Sequence, residues 1–324
     1  MHVGSEVRRY GRLVPGTRYN LDGVVASTLA RPQGELLTTV ATVNDLHFGE
    51  TECGMVEGTE IGPVLRVAPG EPPYPETMNA AAVAEITALA GGAGPDAVVV
   101  KGDLTTNGTA DEYAAFLAHY SVFGDRLYQV RGNHDAKVGS DFAATSVQEV
   151  VLPGVILAIL DTTIPMLDSG RLSADQLGWL DEVGAGADRP VLVFGHHHPW
   201  DPDSASRPDH YFGINPADSE ALVAVLSRHP RFAGYFAGHT HRNRVRHFAR
   251  LRGLPVVEVS AVKDFPGSWA EYRVYEGGIS QIHRRISSPS ALNWSDRTRA
   301  MFSGAYPAYS FGSIDDRCLT TFVH

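Results

Sequence analysis

Five short stretches of this sequence place aspartate, asparagine or histidine just after an apolar run. Asn44-Asp45-Leu46-His47 follows TTVATV (38–43), and Lys101-Gly102-Asp103 follows AVVV (97–100). Gly132-Asn133-His134-Asp135 lies just beyond RLYQV (126–130). Gly195-His196-His197-His198-Pro199 follows PVLVF (190–194), and Gly238-His239-Thr240-His241 follows GYFA (234–237). Each of these polar side chains costs free energy to bury unless it is paired. The donors are oxygen and imidazole with no thiolate, a set that suits Mn, Fe, Zn or Co rather than a Cys-rich structural zinc. In extended chain, residues i and i+2 point to the same side. Asp45 with His47, and His239 with His241, are therefore expected to grip an ion in pairs. About seven ligands are too many for one tetrahedral ion and right for two ions sharing a bridging carboxylate. Two metals about 3.5–4 Å apart are a device for in-line displacement at phosphorus.

The apolar runs must carry these groups. Together with VILAIL (155–160) and PVVEVSAV (255–262) they read as buried strands, being short, continuous and β-branched. Helical patterns alternate with them at 76–90, 109–120, 173–183 and 216–229. Ser173 and Gln176 have capping-box spacing, and Pro216 sits where a helix start tolerates proline. Strand alternating with helix is the α/β signature. In open α/β sheets, ligands bind outside the carboxyl ends of strands. The five polar ends are therefore expected to gather in one crevice of one sheet, with Gly102, Gly132 and Gly238 allowing sharp turns and close approach.

The bulk numbers narrow the choice of partner. The chain has 324 residues, 43% hydrophobic and 20% charged, with a net charge of −10. That acidic balance weighs against nucleic acid, whose partners carry basic patches. No apolar run approaches the ~20 residues of a membrane span, and the first residues lack an apolar signal-peptide core, so a cytoplasmic location is expected. Two cysteines, Cys53 and Cys318, make no disulfide framework; a tie between them and two free thiols both stay open.

In this order, D-x-H, GD, GNHD, HHP and GHxH resemble the calcineurin-like metallophosphoesterase superfamily over residues 38–262. Five short motifs in sequence make chance coincidence a poor explanation. KGDLTTNGTADEY and SGRLSADQLGWLDEVGAGADRPVLVFGHHHPW are similar to the class III cyclic-nucleotide phosphodiesterases and the glycerophosphodiesterases. The resemblance implies an αββα sandwich with a dinuclear metal site at the carboxyl ends of the strands. It implies that Asp45, His47 and His241 hold one divalent or mixed-valence ion (Mn, Fe or Zn), that Asp103 bridges, and that Asn133, His197 and His239 hold the second. His134 would touch the scissile phosphate and protonate the leaving oxygen, with Asn133 also stabilising the phosphoryl oxygens, while a metal-bridging hydroxide attacks a small phosphodiester. Asp135 is expected to orient a neighbour.

In the superfamily the histidine ligand precedes the proline by two residues. That selects His197, leaves His198 to the cleft rim or substrate, and makes His196 a packed strand-end residue. Where purple acid phosphatases carry an iron-binding tyrosine, three residues after the bridging aspartate, this chain has Thr106. Trp200 and Tyr211, in the loop after the triple, are candidate pocket walls. A phosphomonoesterase, a nuclease and a silent metal-binding scaffold are the competing functions; retention of every ligand and of His134 speaks against the scaffold.

Three segments are expected: a β-hairpin annex over 1–37, a metallophosphoesterase domain over 38–285, and a tail over 286–324. The wording of LVPGTRY resembles the last strands of a fibronectin-type-III module, but such a sandwich needs ~100 residues. The tail reads as a lid, an oligomer arm or a sheet-edge cover, and a homo-oligomer stays open. The long 48–75 loop is expected to be functional.

Overall fold

The computed structural model describes residues 2–3, 6–56 and 58–322. Strands β1 (Leu36–Val43), β2 (Ala97–Lys101) and β3 (Leu127–Val130) lie side by side and parallel. The hairpin of β4 (Val147–Leu152) and β5 (Val155–Leu160) starts a second sheet. There β6 (Val191–Gly195) and β7 (Phe232–Ala237) continue in parallel. Strand β8 (Arg244–His247) pairs antiparallel with β9 (Pro255–Glu258), which lies parallel to β7. Strands β10 (Ser268–Tyr275), β11 (Gly278–Arg285) and β12 (Leu319–Phe322) return antiparallel to the first sheet. The two orders are β12-β11-β10-β1-β2-β3 and β4-β5-β6-β7-β9-β8.

Strand periodicity makes this a four-layer sandwich. Successive side chains of a strand point to opposite faces, and here both faces are covered. Ala97 and Val99 face the opposite sheet while Val98 and Val100 face helices. Val155, Leu157 and Ile159 likewise point inward, and Ile156, Ala158 and Leu160 outward. Helices α1 (Tyr74–Thr87) and α2 (Ala110–Tyr120) cover the first sheet with Met78, Ile86, Phe116 and Tyr120. Helices α3 (Ala174–Gly186) and α4 (Pro216–Arg228) cover the second with Leu180, Leu222 and Leu226. The Ser173–Gln176 capping box forms at the start of α3, and Asn215 caps α4 ahead of Pro216.

The five polar strand ends therefore come from two sheets, not one. Asp45, Asp103 and Asn133 follow β1, β2 and β3, whereas His196 and His239 follow β6 and β7. Central strands of both sheets are buried on both faces, so their sequences read alike. PVVEVSAV is strand only over 255–258. Beyond it the chain crosses between the sheets: Val259 N–H donates to the Ala237 carbonyl and Val262 N–H to the Asn44 carbonyl.

Residues 18–21 and 24–27 form a hairpin, and 52–56 and 59–66 form another within the 48–75 stretch. After β11, helix α5 (Pro289–Thr298) stacks Trp294 on Tyr74, with ring centroids 4.1 Å apart. Cys53 and Cys318 are both free thiols. Among the described residues, no helix is long and apolar enough to cross a membrane.

Candidate metal centre

The strand ends form two adjacent groups of ligating atoms: Asp45, His47, Asp103 and His241 in one, and His196, His197 and His239 in the other. Within each group these atoms lie within 4.8 Å of one another. One carboxylate oxygen joins the groups. Asp103 Oδ2 is 3.5 Å from His47 Nε2 and 3.4 Å from His196 Nε2. Asn133 stands inside the second group, its Oδ1 lying 2.9 Å from His239 Nδ1 and 3.0 Å from His196 Nε2.

The backbone that delivers these groups is not extended. Asp45, His47, Asp103, His239 and His241 all adopt positive φ, between 49° and 69°. Left-handed backbone is uncommon outside glycine and is held only where the surroundings over-determine it. Here Leu46 and His47 N–H both donate to the Asp103 carbonyl, at 2.8 and 3.0 Å. The pairing of Asp45 with His47, and of His239 with His241, thus arises from tight turns and not from a strand's two-residue repeat. Close approach explains Gly132: a methyl group there would fall 2.2 Å from Asp103 Oδ1.

Partners of the remaining polar atoms fix which atom each residue offers. Asn133 Nδ2 donates to Asp168 Oδ1 at 3.0 Å, so Oδ1 must face the histidines. His239 Nε2–H donates to the Phe212 carbonyl at 2.8 Å, and burial holds this imidazole well below its usual pKa. Its Nδ1 lone pair is therefore aimed at the oxygen of Asn133. His196 Nδ1–H donates to the Lys101 carbonyl at 2.8 Å and turns Nε2 to the same oxygen. Burial lowers the pKa of His196, but the nearby Asp103 carboxylate outweighs it and raises that pKa overall.

Burial, with the charge of neighbouring histidines, also holds His47 and His197 well below the ordinary pKa. His47 Nδ1 and Nε2 and His197 Nε2 are buried without a hydrogen-bond partner. Lone pairs facing one another, neutral imidazoles and a shared carboxylate are what a pair of cations requires. The residues fit two ions of the kind that imidazole and carboxylate bind.

Each residue expected from sequence has a definite place. His134 is half-buried beside the first group, with its ring centroid 4.4 Å from that of His47 and Nδ1 2.7 Å from the Thr106 carbonyl. Thr106 itself donates from Oγ1 to the His47 carbonyl. Asp135 is fully buried and accepts from Gly132 N, Leu104 N, Thr105 N and Thr105 Oγ1, tying the β2 and β3 ends together. His197 is held through Nδ1 by Thr162 Oγ1. His198 does not stand at the rim; it is 4% exposed, with Tyr211 5.2 Å away. Trp200 is also buried.

The sequence reading treats His196 as packing and contains neither Asp168 nor Phe212. His196 is not simply packed, since its Nε2 reaches both Asn133 and Asp103. Its position immediately after the last residue of β6, rather than its distance from Pro199, is the signal that points to it. Asp168 and the Phe212 carbonyl carry no signal in the sequence, because loop folding alone brings them to the site.

A model of the family "Calcineurin-like phosphoesterase" matches residues 38–243. The cAMP/cGMP dual specificity phosphodiesterase MT0825 of Mycobacterium tuberculosis is 30% identical over 179 residues, covering 52% of this chain and 54% of the relative. A probable glycerophosphodiester phosphodiesterase GpdQ of Arcobacter nitrofigilis is 28% identical over 166 residues, covering 46% of this chain and 57% of the relative. The chain thus spans little more than half the length of these two relatives. Among solved structures, a dimetal phosphatase from Danio rerio superposes with a TM-score of 0.59 at 17% identity, over 78% of this chain and 97% of that one.

Proposed function

Because this chain belongs to the calcineurin-like phosphoesterase family, we propose that it is a dinuclear-metal phosphodiesterase acting on a small phosphodiester, either a 3′,5′-cyclic nucleotide or a glycerophosphodiester. One observation carries the reading: a single Asp103 oxygen lies 3.4–3.5 Å from a histidine of each ligand group. Asp45, His47 and His241 would hold one ion and Asn133, His196 and His239 the other, with Asp103 shared between them and His197, tied to Thr162, standing beside the second ion's donors. Two such ions, when bound, supply Lewis-acid polarisation of a phosphoryl oxygen and a nucleophile from water at neutral pH.

The chain's own residues account for the rest of the chemistry. Hydrolysis adds water oxygen to phosphorus, breaks one P–O ester bond and requires a proton on the departing alkoxide. His134 suits that donation. The Thr106 carbonyl at 2.7 Å and Lys137 Nζ at 2.9 Å both contact Nδ1, which leaves Nε2 as the nitrogen free to face the leaving oxygen. The Asp103 carboxylate accepts the His134 backbone N–H at 2.9 Å, so acid and bridge are held in one register. Asp168 fixes the amide of Asn133. The relatives named for cyclic nucleotides and for glycerophosphodiesters support a diester as substrate.

The test is hydrolysis after loading with Mn²⁺, comparing bis(p-nitrophenyl) phosphate with p-nitrophenyl phosphate. The expected result is a clear diester preference that disappears on chelation. A monoester preference would move the chain to the phosphatase side of the family and overturn the substrate class.

A further inference from the structure

Phe212 is more than half exposed, at 56%, and a single exposed phenylalanine ordinarily signifies little. Its position makes this one different. The ring lies over the ring of His239, with centroids 4.0 Å apart and planes 28° from parallel. Its backbone carbonyl accepts from His239 Nε2–H. The chain just beyond it is pinned: Gly170 N–H donates to the Gly213 carbonyl at 2.8 Å, and Ile214 N–H donates to the His198 carbonyl at 2.9 Å. One aromatic face is thus held on a histidine of the metal centre, and the residue remains open to solvent.

We propose that Phe212 is a stacking platform for the flat heteroaromatic base of the substrate, so that the preferred substrate is a 3′,5′-cyclic nucleotide rather than a glycerophosphodiester. This rests on the phosphodiesterase reading above. A nucleobase has a π-face to lay on an exposed ring, and such stacking is tolerant of base identity. A glycerol moiety has no π-face and gains nothing from the ring. The platform stands one ring-stacking distance from a ligand of the second ion, close enough for one nucleoside to lie on it while its phosphate meets the metals.

The experiment measures binding and turnover separately. Metal-loaded wild type, Phe212→Ala and Phe212→Trp are titrated with adenosine 5′-monophosphate and with glycerol 3-phosphate, and cyclic AMP hydrolysis is followed in parallel. The alanine variant keeps the backbone carbonyl that orients His239, so bound metal should stay at two ions per chain. Phe212→Ala is expected to weaken adenosine 5′-monophosphate and to raise the KM for cyclic AMP by about 10-fold or more, while glycerol 3-phosphate moves less than about 2-fold; Phe212→Trp restores the loss. Equal affinity of wild type and Phe212→Ala for adenosine 5′-monophosphate would overturn the platform, as would an equal loss for both ligands accompanied by loss of metal. A wild type that hydrolyses no diester yet binds the nucleotide in a Phe212-dependent way would sustain the platform and sink the hydrolase reading.

Discussion

Replacing His196 by alanine should cost this protein its second metal ion, and replacing His197 should not. Four atoms of the second group converge on one region: Asp103 Oδ2, Asn133 Oδ1, His196 Nε2 and His239 Nδ1. Their closest contacts are 2.9, 3.0 and 3.4 Å. The ring of His196 is locked by its Nδ1–H bond to the Lys101 carbonyl, an arrangement that raises the basicity and fixes the direction of a metal-bound imidazole. Removing it leaves three donors; removing His197, held through Thr162, leaves four. Loss of an outer partner typically costs 10–100-fold in metal affinity, so loss of a locked direct ligand should cost at least about 100-fold, and His197→Ala about 10-fold or less. Bound Mn²⁺ would be counted by elemental analysis after dialysis against graded chelator, with circular dichroism as the control on folding. The expected counts are one ion in His196→Ala and two in His197→Ala. Two ions in His196→Ala, with affinity within about 3-fold of wild type, would refute the assignment, as would the reverse pattern.

Two further outcomes follow from the groups behind the ligands. Asp135→Ala leaves three buried backbone N–H groups and the Thr105 hydroxyl without their acceptor. The loss should destabilise the metal-free protein by about 3–5 kcal/mol in urea unfolding, and a change under about 1 kcal/mol would show that Asp135 does not brace the strand ends. Asp168→Ala frees the Asn133 amide to rotate and should weaken the second ion by about 10–100-fold without changing the first; calorimetric titration with Mn²⁺ resolves the two events, and unchanged second-site affinity would remove Asp168 from the site.

Much of this was legible in the sequence, for a physical reason. Strands such as VILAIL and AVVV are buried on both faces and so read as unbroken apolar runs. Strands β10 and β11 escaped notice because SWAEYRVY and GISQIHRR mix apolar residues with charge; buried Glu271 is matched there by Arg273 and Arg284. The division into two sheets was not legible, since central strands of either sheet have the same pattern. Asp45 and His47 were recognised as a pair for the wrong reason: their backbones are left-handed, not extended. His196 reads as a packed residue when distance to a proline is the guide, whereas its place at the strand end turns its Nε2 toward Asn133 and Asp103. The contacts of Asp168 and Phe212 depend on loops whose paths no local pattern encodes.

The most direct test is crystallography of Mn²⁺-soaked protein with anomalous scattering. Two peaks about 3.5–4 Å apart are expected on either side of the Asp103 carboxylate, one beside His47 and His241 and the other beside Asn133, His196 and His239. A single peak, or two peaks that Asp103 does not bridge, would contradict the dinuclear assignment.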